Sequence, residues 1–149
     1  MPAGIRRFGP DNSVLSAFPS PAIEALAVLE GQFMSMRCHG EQLGLVPKTI
    51  IATGGASANT TITQVLANVF GCPVLVAEQS DSASLGAAYR AMQAYRSHQS
   101  GHFVSFEEAI GRDLTASHTV VAEPEVRAHE TYTAMRARYA ELEAVVCHD

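Results

Sequence analysis

The stretch that most restricts how this chain can fold is Ile50-Ile51-Ala52-Thr53-Gly54-Gly55-Ala56-Ser57-Ala58-Asn59, together with the helix pattern behind it. Val46, Ile50 and Ile51 form a β-favouring apolar run. Gly54 and Gly55 carry no Cβ, so the backbone can turn sharply there and a ligand can approach it closely. Ser57 or Asn59 can supply an oxygen to cap the helix that follows. In that helix Ile62, Val65, Leu66, Val69 and Phe70 fall on one core-facing stripe, and Gly71 and Pro73 stop it. A buried strand, a double-glycine turn and an amphipathic helix are thus predicted in succession. In α/β sheets ligands lie beyond the carboxyl ends of strands, beside helix N-termini. The turn is therefore the candidate nucleotide site.

The turn alone is weak evidence, because many strand-Gly-Gly-helix turns are only tight connections. No G-x-x-x-x-G-K-[ST] phosphate loop occurs in the chain, and the turn is not the G-x-G-x-x-G dinucleotide fingerprint. The flanking elements add context. Pro21 suits the first position of a helix capped by Ser20, with Ile23, Leu26, Leu29, Phe33 and Met36 as its buried stripe. Gly31 inside that helix costs about 1 kcal/mol against alanine, which points to close packing or ligand approach. Pro73 to Ala77 reads as a second buried strand. A further helix begins near Ser80 to Ser82, with Ala83, Gly86, Ala87, Ala91 and Ala94 on one small-residue face. Asp81 reads as its N-cap or first-turn carboxylate, or as a group near the nucleotide. Helix and strand alternate, which favours an α/β sheet with parallel neighbours.

The two ends are less regular. Arg6 to Phe18 reads as a hairpin or as a loop leading into a strand. Ser97 to Gly101 reads as a polar linker and Leu114 to Glu123 as a loop. Ser105-Phe106-Glu107-Glu108 is a capping box, with Gly111 ending its short helix. Pro124 is expected at the first position of the last helix. There Ala128, Tyr132, Met135, Tyr139, Leu142 and Val146 form one apolar seam, suited to a coiled-coil dimer or to packing back on the chain's own domain.

Composition excludes some classes of partner. The 149 residues are 47% hydrophobic and 17% charged, as in a globular core, with a formal net charge of −5. That balance, with no Lys/Arg cluster to neutralise phosphates, argues against a nucleic-acid partner; Lys48 is the only lysine. No run approaches the ~18 apolar residues of a membrane span. Cys38, Cys72 and Cys147 are widely spaced and odd in number, which suggests reduced thiols and a cytoplasmic protein. No metal site is expected: no cysteine pair has C-x-x-C spacing, and Ser100-Gly101 separates His98 from His102.

Several blocks in order resemble the closing part of the ATP-binding domain of the FGGY family of carbohydrate kinases. They are Ala25-Leu26-Ala27-Val28-Leu29-Glu30-Gly31-Gln32-Phe33-Met34, Ala52 to Asn59, Gln64 to Val74, and Ser80 to Ala91, with the tail Tyr132 to Val145 resembling the terminal helix of such kinases. Within the family the likeness is nearest to the eukaryotic xylulose kinases, which implies D-xylulose as the sugar. The resemblance implies a partial RNase H-like α/β domain of the actin and hexokinase type. It has parallel strands flanked by helices, plus a long C-terminal helix. It divides the chain into residues 1–96, the closing part of the ATP-binding domain, and 97–149, a linker, a short helix and the terminal helix. It implies ATP and Mg²⁺ as cofactors, transfer of the γ-phosphoryl group to a sugar hydroxyl, and contact with the nucleotide by Gly54, Gly55 and Asn59.

The same resemblance implies parts that this sequence lacks. An Asp-x-Gly-Thr phosphate hairpin is absent, and Asp11, Asp81, Asp113 and Asp149 all lie in blocks like the second domain or its tail. No residue here is assigned a catalytic role. The expectation is a carboxyl-terminal piece of a kinase whose N-terminal domain is missing, inactive by itself. The alternative is a stand-alone nucleotide-binding or interaction module.

Overall fold

The computed structural model describes residues 4–77, 82–111 and 118–148. The chain opens with a short antiparallel hairpin, β1 (Arg7–Phe8) and β2 (Val14–Leu15). Its turn is made by Asp11, whose Oδ1 accepts from the Ser13 amide at 3.1 Å and from the Ser13 hydroxyl at 2.6 Å, and by Asn12 at φ 66°. Those donors hold the Asp11 carboxyl below the usual carboxylate range. Of the two readings of this segment, the hairpin is the one found.

Helix α1 (Pro21–Gln42) starts as expected, with Pro21 at its first position and the Ser20 hydroxyl oxygen accepting from the Ile23 amide at 3.3 Å. Its buried face is the expected one only in part, since Phe33 is buried and Leu29 packs on the core. Phe33, Met34, Arg37 and Cys38 are buried, whereas Ile23, Leu26 and Met36 are 44%, 39% and 52% exposed. Apolar spacing marked a stripe, but α2 and α5 cover α1 only over its second half and on the face of Phe33, Met34, Arg37 and Cys38, which leaves out Ile23 and Leu26 at one end and Met36 at the other. A Cβ at Gly31 would meet nothing within 4 Å, so close packing does not explain that glycine here.

Strand β3 (Ile50–Ala52), helix α2 (Thr60–Phe70) and strand β4 (Val74–Ala77) form a parallel crossover unit, with Ile50 opposite Val74 and Ala52 opposite Val76. Helix α2 lies at the centre of the core: Ala67 and Val69 are fully buried beside Val74 and Met34. Gly71 ends it in the left-handed conformation at φ 70°, as its position in the sequence predicts.

The sheet is mixed rather than parallel throughout. Residues His118–Ala122, expected as loop, form β5, antiparallel to β4 with a bulge at Val74/Leu75. The pairing partner lies some 40 residues away in sequence, roughly, beyond the reach of a local pattern. Helix α3 (Ser82–Ser100) also runs further than expected, through the stretch read as linker. Buried Gln93 donates to the Val104 carbonyl at 2.8 Å and the Val104 amide donates to Ser97 Oγ at 3.0 Å, which folds the following chain back on the helix. The small face of α3 is solvent-exposed at Ala83, Gly86, Ala87, Ala91 and Ala94. Asp81 lies outside the described residues.

Helix α4 (Phe106–Ile110) carries the expected capping box between Ser105 and Glu108 and ends at Gly111. Helix α5 (Val126–His148) begins after Pro124 rather than at it. Its Tyr132, Met135 and Tyr139 pack on the α1–α2 core. Around the α2–α5 contact the polar groups are matched. Asn68 Oδ1 accepts from the Glu125 amide at 2.8 Å, and His129 Nδ1 lies 3.0 Å from the Asn68 carbonyl. Buried Arg37 donates to the Val69 carbonyl at 2.7 Å, to Glu41 Oε1 at 3.0 Å and to Thr133 Oγ1 at 3.1 Å. A buried cation needs such a full set of partners, because desolvation alone costs several kcal/mol, roughly.

Candidate functional site

The turn after β3 is positioned from both sides. Ile50 and Ala52 are held against β4 and the core cluster, and α2 is anchored by its buried face. Between them Gly54 adopts φ 82°, ψ 178°, a region that only glycine enters readily. Gly55 has no such requirement; it opens a single 3₁₀ turn, Gly55–Ala58. The conformational demand therefore falls on the first glycine of the pair.

Ser57 and Asn59, which the sequence left as alternative caps, take different tasks. The Ser57 hydroxyl donates to the Gly54 carbonyl at 2.7 Å and its amide reaches the same oxygen at 3.1 Å, closing the turn. Asn59 is the cap of α2: its Oδ1 accepts from the amides of Thr61 at 3.0 Å and Ile62 at 3.3 Å. Its Nδ2 makes no hydrogen bond among the described residues and stays available as a donor. Gly54, Gly55 and Asn59 all lie on the surface, and a Cβ at either glycine would meet nothing within 4 Å. The three residues predicted to meet a ligand thus share one open, bare-backbone shelf at the carboxyl end of a parallel strand.

The chemistry of the shelf is neutral. No Lys or Arg occurs between Ile50 and Phe70. The α2 amides that could hold a phosphate are already capped by Asn59, so the usual anion site of a helix N-terminus is closed. What remains is backbone, hydroxyl and amide, which offer close approach and hydrogen bonds but no charge. Elsewhere, burial pushes the Cys38 and Cys72 thiols up, away from the reactive thiolate, so neither is an activated nucleophile. Among the described residues no group of three or more His, Cys, Asp or Glu could hold a metal ion. No helix among them is long and apolar enough to cross a membrane.

A parallel crossover with an antiparallel third strand and helices packed against it defines an α/β fold with a mixed sheet. Residues 4–95 match the FGGY family of carbohydrate kinases, C-terminal domain. The chain belongs to this family. It is similar to the xylulose kinase of Rattus norvegicus, 46% identical over 143 residues, which make up 94% of this chain and 26% of the relative. The xylulose kinase of Mus musculus is 44% identical over the same length, 94% of this chain and 25% of its own. The chain therefore spans about a quarter of the length of these relatives. The fold is similar to that of xylulose kinase from Lactobacillus acidophilus, with a TM-score of 0.65 at 24% identity over 91% of this chain and 27% of that one. Gluconate kinase from the same bacterium gives 0.64 at 23% identity, over 90% and 27%.

Proposed function

We propose that this chain supplies the adenosine side of the ATP site of a sugar kinase, one that transfers the γ-phosphoryl group of ATP to D-xylulose. The observation that carries this reading is the shelf formed by Gly54, Gly55 and Asn59: open, without Cβ, without charge, and with one amide donor unused. Bare backbone at Gly54 and Gly55 lets a purine or ribose lie flat on the turn, and Asn59 Nδ2 donates to one of its acceptors. Membership of the FGGY family and the xylulose kinase relatives support the choice of reaction and sugar. In the same reading the β3–α2–β4 unit is part of an RNase H-like ATPase domain of which residues 1–96 form the closing part. Residues 97–149 buttress it, and the protein works in the cytoplasm.

Phosphoryl transfer depends on positioning and on charge stabilisation. This chain contributes positioning. Charge stabilisation, the proton-accepting carboxylate and the sugar pocket come from the rest of the kinase. Mg²⁺, which neutralises phosphate charge in such reactions, has no assigned ligand in this chain.

An NMR titration of the isotope-labelled 149-residue protein tests the reading. ATP should shift the amides of residues 53–59 with a Kd on the order of 1 mM, a free energy of about −4 kcal/mol. Adenosine should shift the same amides to a similar extent, since the shelf makes no use of phosphate. Gly55→Val should abolish the shifts, and a coupled ADP-release assay with D-xylulose should show no turnover by this chain alone. Shifts that need the phosphates, or that fall elsewhere, would overturn the assignment.

A further inference from the structure

A cavity of about 640 Å³ runs between the β1–β2 hairpin, the N-terminal half of α1 and the C-terminal half of α5. Ile5, Phe8, Leu26, Met34, Leu142 and Val146 line it, and none of the described elements fills it. This is where the apolar stripe of α1 and the end of the α5 seam go: Ile5 is 75% exposed and Leu26 39%. Apolar surface left in this way marks an interaction site.

The charged groups along the cavity are already engaged. Glu24 is paired with Arg7, and Glu30 accepts from the Tyr132 hydroxyl at 2.8 Å. Glu143 accepts from Ser35 at 3.0 Å, and Arg138 holds the hairpin through Asn12 Oδ1 at 2.7 Å and the Gly9 carbonyl. A small polar ligand needs convergent unused donors or acceptors to fix its orientation. These groups are partnered within the chain and do not converge on the groove, whose lining is mostly apolar, so it suits an apolar protein segment.

The chain spans about a quarter of its relatives' length, and its match is to the C-terminal domain of the family. The first described residue, Gly4, stands in the wall of this groove, so the chain enters the described fold at its edge. We propose that the groove is the docking site for an apolar segment of the kinase chain that precedes this sequence, and that it joins the two parts of the enzyme. The proposal rests on the reading that this chain is one part of a longer kinase, and not on where ATP binds.

Cys147 lines the groove and is exposed, whereas Cys38 and Cys72 are buried, so the thiols report on it directly. The test compares maleimide labelling, read site by site by mass spectrometry without nucleotide, in two proteins. One is the 149-residue chain. The other is a full-length kinase in which this sequence follows the preceding residues of the rat xylulose kinase. Cys147 should label at least tenfold more slowly in the full-length protein, with Cys38 and Cys72 unreactive in both. Leu26→Glu should restore fast labelling in the full-length protein. In the 149-residue chain the same substitution should leave the urea midpoint unchanged, because Leu26 is not used in that chain's own core. Equal labelling rates, protection that survives Leu26→Glu, protection of the 149-residue chain that grows with its concentration, or a lowered midpoint would each overturn the proposal.

Discussion

Gly71 is the position where the structure makes the largest local demand on one residue. It ends α2 at φ 70°, and a Cβ placed on it would lie 2.6 Å from both ring nitrogens of His129. Gly71→Ala therefore carries separable costs. The left-handed backbone costs alanine about 1–2 kcal/mol. Overpacking against the imidazole costs about 1–3 kcal/mol. If the ring swings away it gives up its bond to the Asn68 carbonyl, worth about 0.5–1.5 kcal/mol. Since swinging away relieves the overpacking, the last two costs are alternatives and the expected total is about 1.5–3.5 kcal/mol, a large share of the ~5–15 kcal/mol that holds a domain together. Urea unfolding followed by far-ultraviolet circular dichroism measures the loss as a lower midpoint at constant slope. A double-mutant cycle with His129→Ala separates the parts. The two substitutions should be less than additive by about 0.5–1.5 kcal/mol, because the backbone cost is Gly71's alone while the clash, or the ring bond given up to avoid it, depends on both residues. An additive pair, or a single substitution costing under about 1 kcal/mol, would refute the reasoning that α5 is seated against the end of α2 through this ring.

Three further outcomes follow from the same contacts. Asn59→Ala should cost about 1 kcal/mol in urea unfolding by uncapping the Thr61 and Ile62 amides, and Asn59→Asp should retain most of the stability. Arg37→Ala should cost about 1–3 kcal/mol, because it strands the buried Val69 carbonyl, while Glu41 keeps its pairing with Arg136; an equal loss in Arg37→Lys would show that the fork of the guanidinium is what matters. Asp11, Glu24 and Glu108 are each held below the ordinary carboxylate range: Asp11 and Glu108 by serine hydroxyl and amide donors, Glu24 by Arg7. Their folded pKa values lie below the unfolded ones, so the stability they add is present above about pH 4 and is lost as pH falls through the folded values. The urea midpoint should fall below pH 4, and Glu24→Gln should flatten part of that fall.

Some of this was legible in the residues themselves. The β3–turn–α2–β4 unit is written locally: the apolar stripe of Ile62 to Phe70, the asparagine before it and the glycine after it act within one or two helical turns. Ser20-Pro21 and Ser105–Glu108 announce their helices in the same way, since a cap satisfies amides no more than three residues on. The residues of the candidate shelf were legible too, because strand, Gly-Gly and cap have to be neighbours in sequence. The division of labour within the shelf was not. Only folded backbone angles show that Gly54 needs a positive φ and Gly55 does not, and only the hydrogen bonds separate Ser57, which closes the turn, from Asn59, which caps the helix. Strand β5 was hidden because its partner β4 is remote in the chain, and α3 ran on past Ser97 because side-chain contacts to Val104 hold the following segment back on it. The same limit applied to α1. Spacing showed that Ile23 and Leu26 share a face with Phe33, but burial belongs to whatever lies opposite, and α2 and α5 cover only the second half of that helix. The sequence determined which surfaces are apolar and where α1 and α4 start. Tertiary structure alone decided which of those surfaces are covered, because that depends on contacts between residues far apart in the chain.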